Sequence, residues 1–218
     1  MARGFSAPAS EEAHRLLREL LDDGEAEPSK GGNPARPPVR DERDSPATAA
    51  GSALHGILER LDLAGDLRAQ LAAARSSLAV VMEGLIGPER RGETVRRAGE
   101  LLARLAAGPL PARLAAIAPH VLARELSVLL PPEDAGGPVG FVAGAIDLLY
   151  RDPASGELVI ADYKSDEVTG ADEVAGRAAS YAPQGAVYRR AVALALRPPQ
   201  PPRFELWFLH AGIVVAGS

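Results

Sequence analysis

Residues 144–166 read GAIDLLYRDPASGELVIADYKSD. Two apolar runs flank a turn signal, Asp152-Pro153 with Gly156 close behind, and this pattern predicts a β-hairpin. Both runs have the makings of core strands, yet both carry charge. Asp147 follows Gly144-Ala145-Ile146, and Leu158-Val159-Ile160-Ala161 passes straight into Asp162, Tyr163 and Lys164 with no turn residue between them. A hairpin symmetric about the Ala154–Ser155 bond sets Asp147 opposite Asp162 on one face of the sheet, with Cβ atoms about 4.5–5.5 Å apart. Strand alternation places Lys164 on the face of Asp162 and sends Tyr163 to the other. Two carboxylates this close repel each other and need a compensating cation. Lys164 supplies one charge, and a divalent metal would supply the rest. With oxygen ligands and room for water, Mg²⁺ or Mn²⁺ suits the place.

The remainder of the chain gives this hairpin a setting. Residues 10–22 predict a short amphipathic helix with Ser10 as N-cap and Leu16, Leu17, Leu20 and Leu21 on one side. Residues 23–47 are rich in Pro, Gly and charge and hold almost no large apolar side chain, so they predict a linker without a core of its own. The folded domain is therefore expected over residues 48–218. Leu54, Ile57, Leu58 and Leu61 form the buried stripe of a first helix, and further helices are expected over 66–83 and 92–107. Beyond Pro119 the runs shorten. LARELSVLL, VGFVAGAIDLLY and GELVIADYK read as three antiparallel strands, a long helix over about 171–196 follows, and RFELWFLH and GIVVAG read as two more strands. The class is α/β or α+β, with a mixed central sheet flanked by helices and a helical N-terminal half.

Composition narrows the chemistry. The chain has 218 residues, 46% of them hydrophobic, enough for a real core. It has no cysteine, which removes disulfides, thiol nucleophiles, zinc–thiolate sites and a cysteine-held iron–sulfur cluster. No apolar run reaches the roughly 18 residues of a membrane span, so a cytoplasmic protein without a membrane partner is expected. The net charge of −5 is not that of a uniformly basic nucleic-acid binder, although arginines can still line a groove. Arg90, Arg91, Arg96 and Arg97 form a basic cluster that reads first as a solvated helix face. No G-x-x-x-x-G-K-[ST] occurs, so this chain is not itself an ATP-driven motor.

The hairpin followed by YAPQGAVYRRAVALAL resembles the PD-(D/E)XK nuclease superfamily, and within it the RecB/AddA-type C-terminal nuclease domain of UvrD-like helicase-nucleases. The family pattern is an Asp after a G-x-I run, then D-Y-K-T-D, then Y-x-x-Q-x-x-x-Y on the next helix. This chain supplies Asp147, then Asp162-Tyr163-Lys164-Ser165-Asp166, then Tyr181, Gln184 and Tyr188. Ser165 stands where Thr is usual and keeps the hydroxyl. GSALHGILERL resembles the family's G-x-x-L-H helix, which maps its metal-ligating histidine to His55. RELSV resembles the R-E-L-P-F strand and maps its acidic residue to Glu125, with Ser127 in place of Pro.

The resemblance implies a restriction-endonuclease-like core and phosphodiester hydrolysis of DNA, with single-stranded ends as the expected substrate and exonuclease action ahead of endonuclease action. It implies a metal held by His55, Asp147, Asp162 and the backbone carbonyl of Tyr163, with Lys164 orienting or deprotonating the attacking water. Glu125, Tyr181, Gln184, Tyr188 and Asp166 are supporting or substrate-facing residues on this reading. A separate UvrD-like helicase is an implied partner, and double-strand break repair and recombination the implied setting. Two other classes fit the same residues: a catalytically silent nuclease-like scaffold that binds DNA or a partner, and an Mg²⁺ hydrolase of nucleotides or small phosphoesters. His14, His120 and His210 have no evident partner in the sequence and read as structural.

Overall fold

The computed structural model describes residues 45–84, 87–130 and 142–217. The helix and linker expected before residue 45 lie outside them. Six helices and five strands follow in order. They are α1 (Pro46–Arg60), α2 (Leu67–Val81), α3 (Pro88–Ala107), α4 (Leu110–Ile117), β1 (Val121–Leu130), β2 (Val142–Arg151), β3 (Leu158–Lys164), α5 (Ala171–Ala179), α6 (Ala182–Leu196), β4 (Arg203–Phe208) and β5 (Ile213–Ala216).

Local chemistry sets most of the boundaries. Ser45 caps α1, its hydroxyl accepting the Thr48 N–H at 3.1 Å, and Pro46 fills the first turn, where an N–H would have no helical partner. Asp66 caps α2 through the Ala69 N–H. Pro88 opens α3 four residues before the expected start at Gly92, so part of the breaker-rich stretch is helical. The single helix expected over 171–196 is two helices, α5 and α6, parted at Ser180-Tyr181. Pro183 is the reason: it has no N–H to continue a helix and belongs in the first turn of a new one. Helix α4 has no counterpart in the sequence reading, because its eight residues hold too few turns to show a clear period.

The sheet runs β1-β2-β3-β4-β5, and only the β3–β4 pair is parallel. The mixed sheet is as expected, and α5 and α6 supply the crossover that a parallel pair requires. Helices cover both faces. On one, Leu54, Leu58, Leu71, Leu102 and Leu114 from α1–α4 pack against Leu148, Val159, Ala161, Tyr163 and Trp207. On the other, Val174, Tyr188 and Val192 from α5 and α6 pack against Ile160, Phe204, Leu206 and Phe208. Successive residues of β3 and β4 go to opposite cores, as a pleated strand buried on both faces demands.

The hairpin has the predicted register. Leu148 pairs with Ala161 and Arg151 with Leu158, around a turn in which Asp152 Oδ1 accepts the N–H groups of Ala154 and Ser155 and Gly156 adopts φ +75°. That pairing stops at Leu148–Ala161, one residue short of Asp147 and Asp162. On the other side of β2 the pairs Arg124–Leu148 and Leu126–Ile146 bracket Glu125 and Asp147. Glu125 has φ +46°, a left-handed conformation that costs energy for any residue with a Cβ. Alternation also slips here, since Ile146 joins the second core and Leu148 the first. Glu125, Asp147 and Asp162 thus lie in one row across three strands, at the point where the regular ladder opens.

Candidate active site

The opening of the ladder aims the acidic side chains at different helices. Asp147, only 5% exposed, turns Oδ1 toward α1, where it lies 2.9 Å from His55 Nδ1. Its Oδ2 accepts the backbone N–H of Tyr163, so a side chain takes over where the backbone pairing ends. Helix α1 is held in place for this contact from two sides. Arg124 on β1 donates to the Leu61 carbonyl at 2.7 Å, satisfying the C-terminal end of the helix. Near the other end, a Cβ on Gly51 would sit 2.6 Å from Ser165 Oγ, so the glycine allows the helix to approach the end of β3. The ring of Tyr163 meets His55 edge-on at 5.9 Å between centroids, and Trp207 backs Tyr163 at the same separation.

Asp162 and Lys164 share a face, as alternation predicts, but it is the face of the other helical layer and not that of Asp147, which the expected register placed beside them. They form an ion pair, and Lys164 Nζ also donates to Gln184 Oε1 at 2.8 Å. Gln184 Nε2 reaches Asp162 Oδ1 at 3.3 Å and the Tyr188 hydroxyl at 2.9 Å. Asp162 Oδ2 is buried and faces the Lys164 ammonium, whose charge compensates it, with a smaller contribution from His55. Tyr188 fits closely over Gly144, where an added Cβ would lie 2.9 Å from the ring, which accounts for the glycine of the G-x-I run. Asp166 accepts the Tyr181 hydroxyl at 2.8 Å, and the ring of Tyr181 lies under the Lys164 ammonium, 3.9 Å from centroid to Nζ.

Electrostatics set this row apart from an ordinary strand end. Burial pushes the Glu125 carboxyl up to about 7, and neighbouring Asp147 adds to the rise. Burial also raises Asp162, to about 6, with Lys164 pulling down and Asp147 pushing up. At His55 burial opposes the charged form, yet the hydrogen bond and charge of Asp147 prevail and raise the ring above its ordinary value. Beside burial, each shift carries a contribution from the charge of Asp147, so negative charge is concentrated at this row. One donor atom each from His55, Glu125 and Asp147 lies within 4.8 Å of the others, and an imidazole with two carboxylates is a donor set that divalent cations accept. The residues fit such an ion.

The structure therefore brings His55, Glu125, Asp147, Asp162, Lys164, Gln184, Tyr188, Tyr181 and Asp166 to one end of the sheet. Asp162 lies outside the His55–Glu125–Asp147 group and is engaged by Lys164 and Gln184 instead. Sequence reasoning assigned Tyr163 only a backbone carbonyl, and missed its N–H on Asp147 and its ring against His55. It also missed Arg124, for which a strand arginine gives no signal, and Arg177, whose Nε donates to Asp166. His210 Nδ1 meets the Val168 carbonyl at 3.1 Å. Of the basic cluster, Arg96 and Arg97 are paired with Glu93, Glu100 and Glu167, as befits a solvated face.

The family model of the PD-(D/E)XK nuclease superfamily matches residues 29–216. Comparison with curated proteins gives no match. The matched span contains every residue of the row and of both helices that serve it, so the paired carboxylates, the lysine two residues on and the five-stranded mixed sheet have one common explanation. The chain belongs to the PD-(D/E)XK nuclease superfamily.

Proposed function

We propose that this chain is a metal-dependent deoxyribonuclease that hydrolyses phosphodiester bonds at DNA ends, in the cytoplasm. On this reading it is the nuclease module of a RecB/AddA-like helicase-nuclease system in double-strand break repair and recombination, served by a separate UvrD-like helicase. The observation that carries the reading is the junction of two groups at one break in the sheet: the His55–Glu125–Asp147 donors and the Asp162–Lys164–Gln184 network. The order of the motifs along the chain supports the RecB/AddA branch.

His55, Asp147 and Glu125 would hold the ion, with Asp162 and the Tyr163 carbonyl as further donors. Mg²⁺ or Mn²⁺ bound there would supply charge against a phosphate oxygen and lower the pKa of water. The residues of the chain do the rest. Lys164, 12% exposed, is fixed by Asp162, Gln184 and the face of Tyr181. An ammonium held on three sides can orient a water for attack and offset the charge that develops on the phosphate. Gln184 bonds both members of the Asp162–Lys164 pair and fixes their separation, and Tyr188 fixes Gln184.

The test is incubation of end-labelled single- and double-stranded DNA with Mg²⁺, with Mn²⁺ and with EDTA. Metal-dependent release of short labelled fragments is expected, with single strands degraded faster and EDTA stopping the reaction. Failure to cut either substrate with either metal would contradict the proposal.

A further inference from the structure

Arg177 on α5 is a charged side chain at the site that the hydrolytic step does not use. Its Nε donates to Asp166 Oδ1 at 2.5 Å, and its guanidinium carbon lies 5.4 Å from the centroid of Tyr181. Asp166 uses its other oxygen to accept the hydroxyl of the same tyrosine. Tyr181 also carries Lys164, so a single ring and a single carboxylate fix the positions of two cations relative to each other. The Nη groups of Arg177 take no part in the contact with Asp166, and half of the side chain is exposed. It lines the same cleft, of about 480 Å³, as Lys164, His55 and Ser165.

An arginine whose only task was to close a surface ion pair would gain little from such care, because exposed pairs contribute little to stability. A guanidinium anchored through Nε and set over an aromatic ring presents its remaining donors as a fork, and that fork matches phosphate. On the nuclease reading Lys164 would face the phosphate under attack. A second cation is held off the same ring and in the same cleft.

We propose that Arg177 binds the backbone phosphate next to the one attacked at Lys164, and that Asp166 and Tyr181 are positioning residues that present its guanidinium for this purpose. The proposal rests on the reading of the chain as a nuclease, and it names the part of the cleft that holds the strand.

Equilibrium binding of a short fluorescein-labelled single-stranded DNA to the full chain, followed by anisotropy in EDTA across a salt series, tests it without catalysis. Arg177→Ala is expected to bind about tenfold more weakly and to lower the slope of log K against log salt by about 0.7, the loss of one phosphate contact on a single strand. Arg177→Lys should retain the slope, and Arg96→Ala, on the solvated face of α3, should not change it. Asp166→Ala removes a negative charge, so simple electrostatics predicts tighter binding; the proposal predicts weaker binding, because Arg177 loses its anchor. Circular dichroism checks folding, and Arg177→Gln replaces any Arg177→Ala protein that fails to fold. An unchanged slope in Arg177→Ala, or tighter binding by Asp166→Ala, would overturn the assignment. Arg177-dependent binding without cleavage in Mg²⁺ or Mn²⁺ would contradict the nuclease reading and leave only the phosphate contact at Arg177 standing, and absence of binding by the unmodified chain would overturn both.

Discussion

His55 Nδ1 lies 2.9 Å from Asp147 Oδ1, joining α1 to β2 across 92 positions of sequence. The bond assigns α1 a task besides packing, which is to deliver an imidazole to the acidic row. His55→Ala is therefore expected to weaken Mn²⁺ binding by at least the roughly 10–100-fold that loss of an outer-shell partner costs at metal sites. Isothermal titration of Mn²⁺ into both proteins is the check. Equal affinities would place His55 outside the metal group.

Without metal, the acidic row sets a pH dependence of definite sign. Glu125 is raised to about 7 from 4.5, and Asp162 to about 6 from 3.8. A carboxyl with a higher pKa in the folded state binds its proton more tightly there. Its contribution to stability is full below the unfolded value and is lost as pH rises through the folded one. In EDTA these two groups should lower the melting temperature between about pH 4 and pH 7, and Mn²⁺ added at pH 7 should restore it. Glu125→Gln should remove part of the decline. Scanning calorimetry of both proteins over that range decides, and identical profiles would show that Glu125 is not a source of it.

A third buried carboxylate has a different purpose. Glu205 on β4, 6% exposed, accepts from Arg113, Arg203, the Tyr150 hydroxyl and Trp207 Nε1. Its needs are met by its neighbours, so it ties α4 to the sheet. Glu205→Ala would leave the Tyr150 and Trp207 donors without an acceptor in the core, and about 3 kcal/mol of lost stability is expected. Arg96→Ala, on an exposed face, should cost less than about 0.5 kcal/mol. Urea unfolding of the two variants measures the contrast, and comparable losses would contradict this distinction.

The hairpin explains why so much of this was legible in the sequence. Asp152-Pro153 and Gly156 define the turn, the turn defines the register, and the register sets Asp147 opposite Asp162 with Lys164 on the Asp162 face. Each of those steps is local, within one turn and two strands. The register alone puts Asp147 on the face of Asp162 and Lys164, and that direction is wrong, because it depends on the φ of +46° at Glu125 and on the slip in alternation between Ile146 and Leu148. Those features belong to the meeting of three strands, which no single segment encodes. Arg177 was hidden for a related reason. Its role depends on the break at Ser180-Tyr181, and a continuous helix over 171–196 would have fixed a different angle between it and Tyr181.

The central claim is that Lys164, held by Asp162 and Gln184, acts on the water or phosphate during hydrolysis. The most direct measurement is cleavage of end-labelled single-stranded DNA in Mg²⁺ by the unmodified chain and by Lys164→Ala, with circular dichroism on both. Loss of one catalytic acid–base group costs roughly 10²–10⁴-fold in rate, so a folded Lys164→Ala protein with cleavage reduced by at least that factor is predicted. A folded Lys164→Ala protein that cleaves at the rate of the unmodified chain would contradict the account.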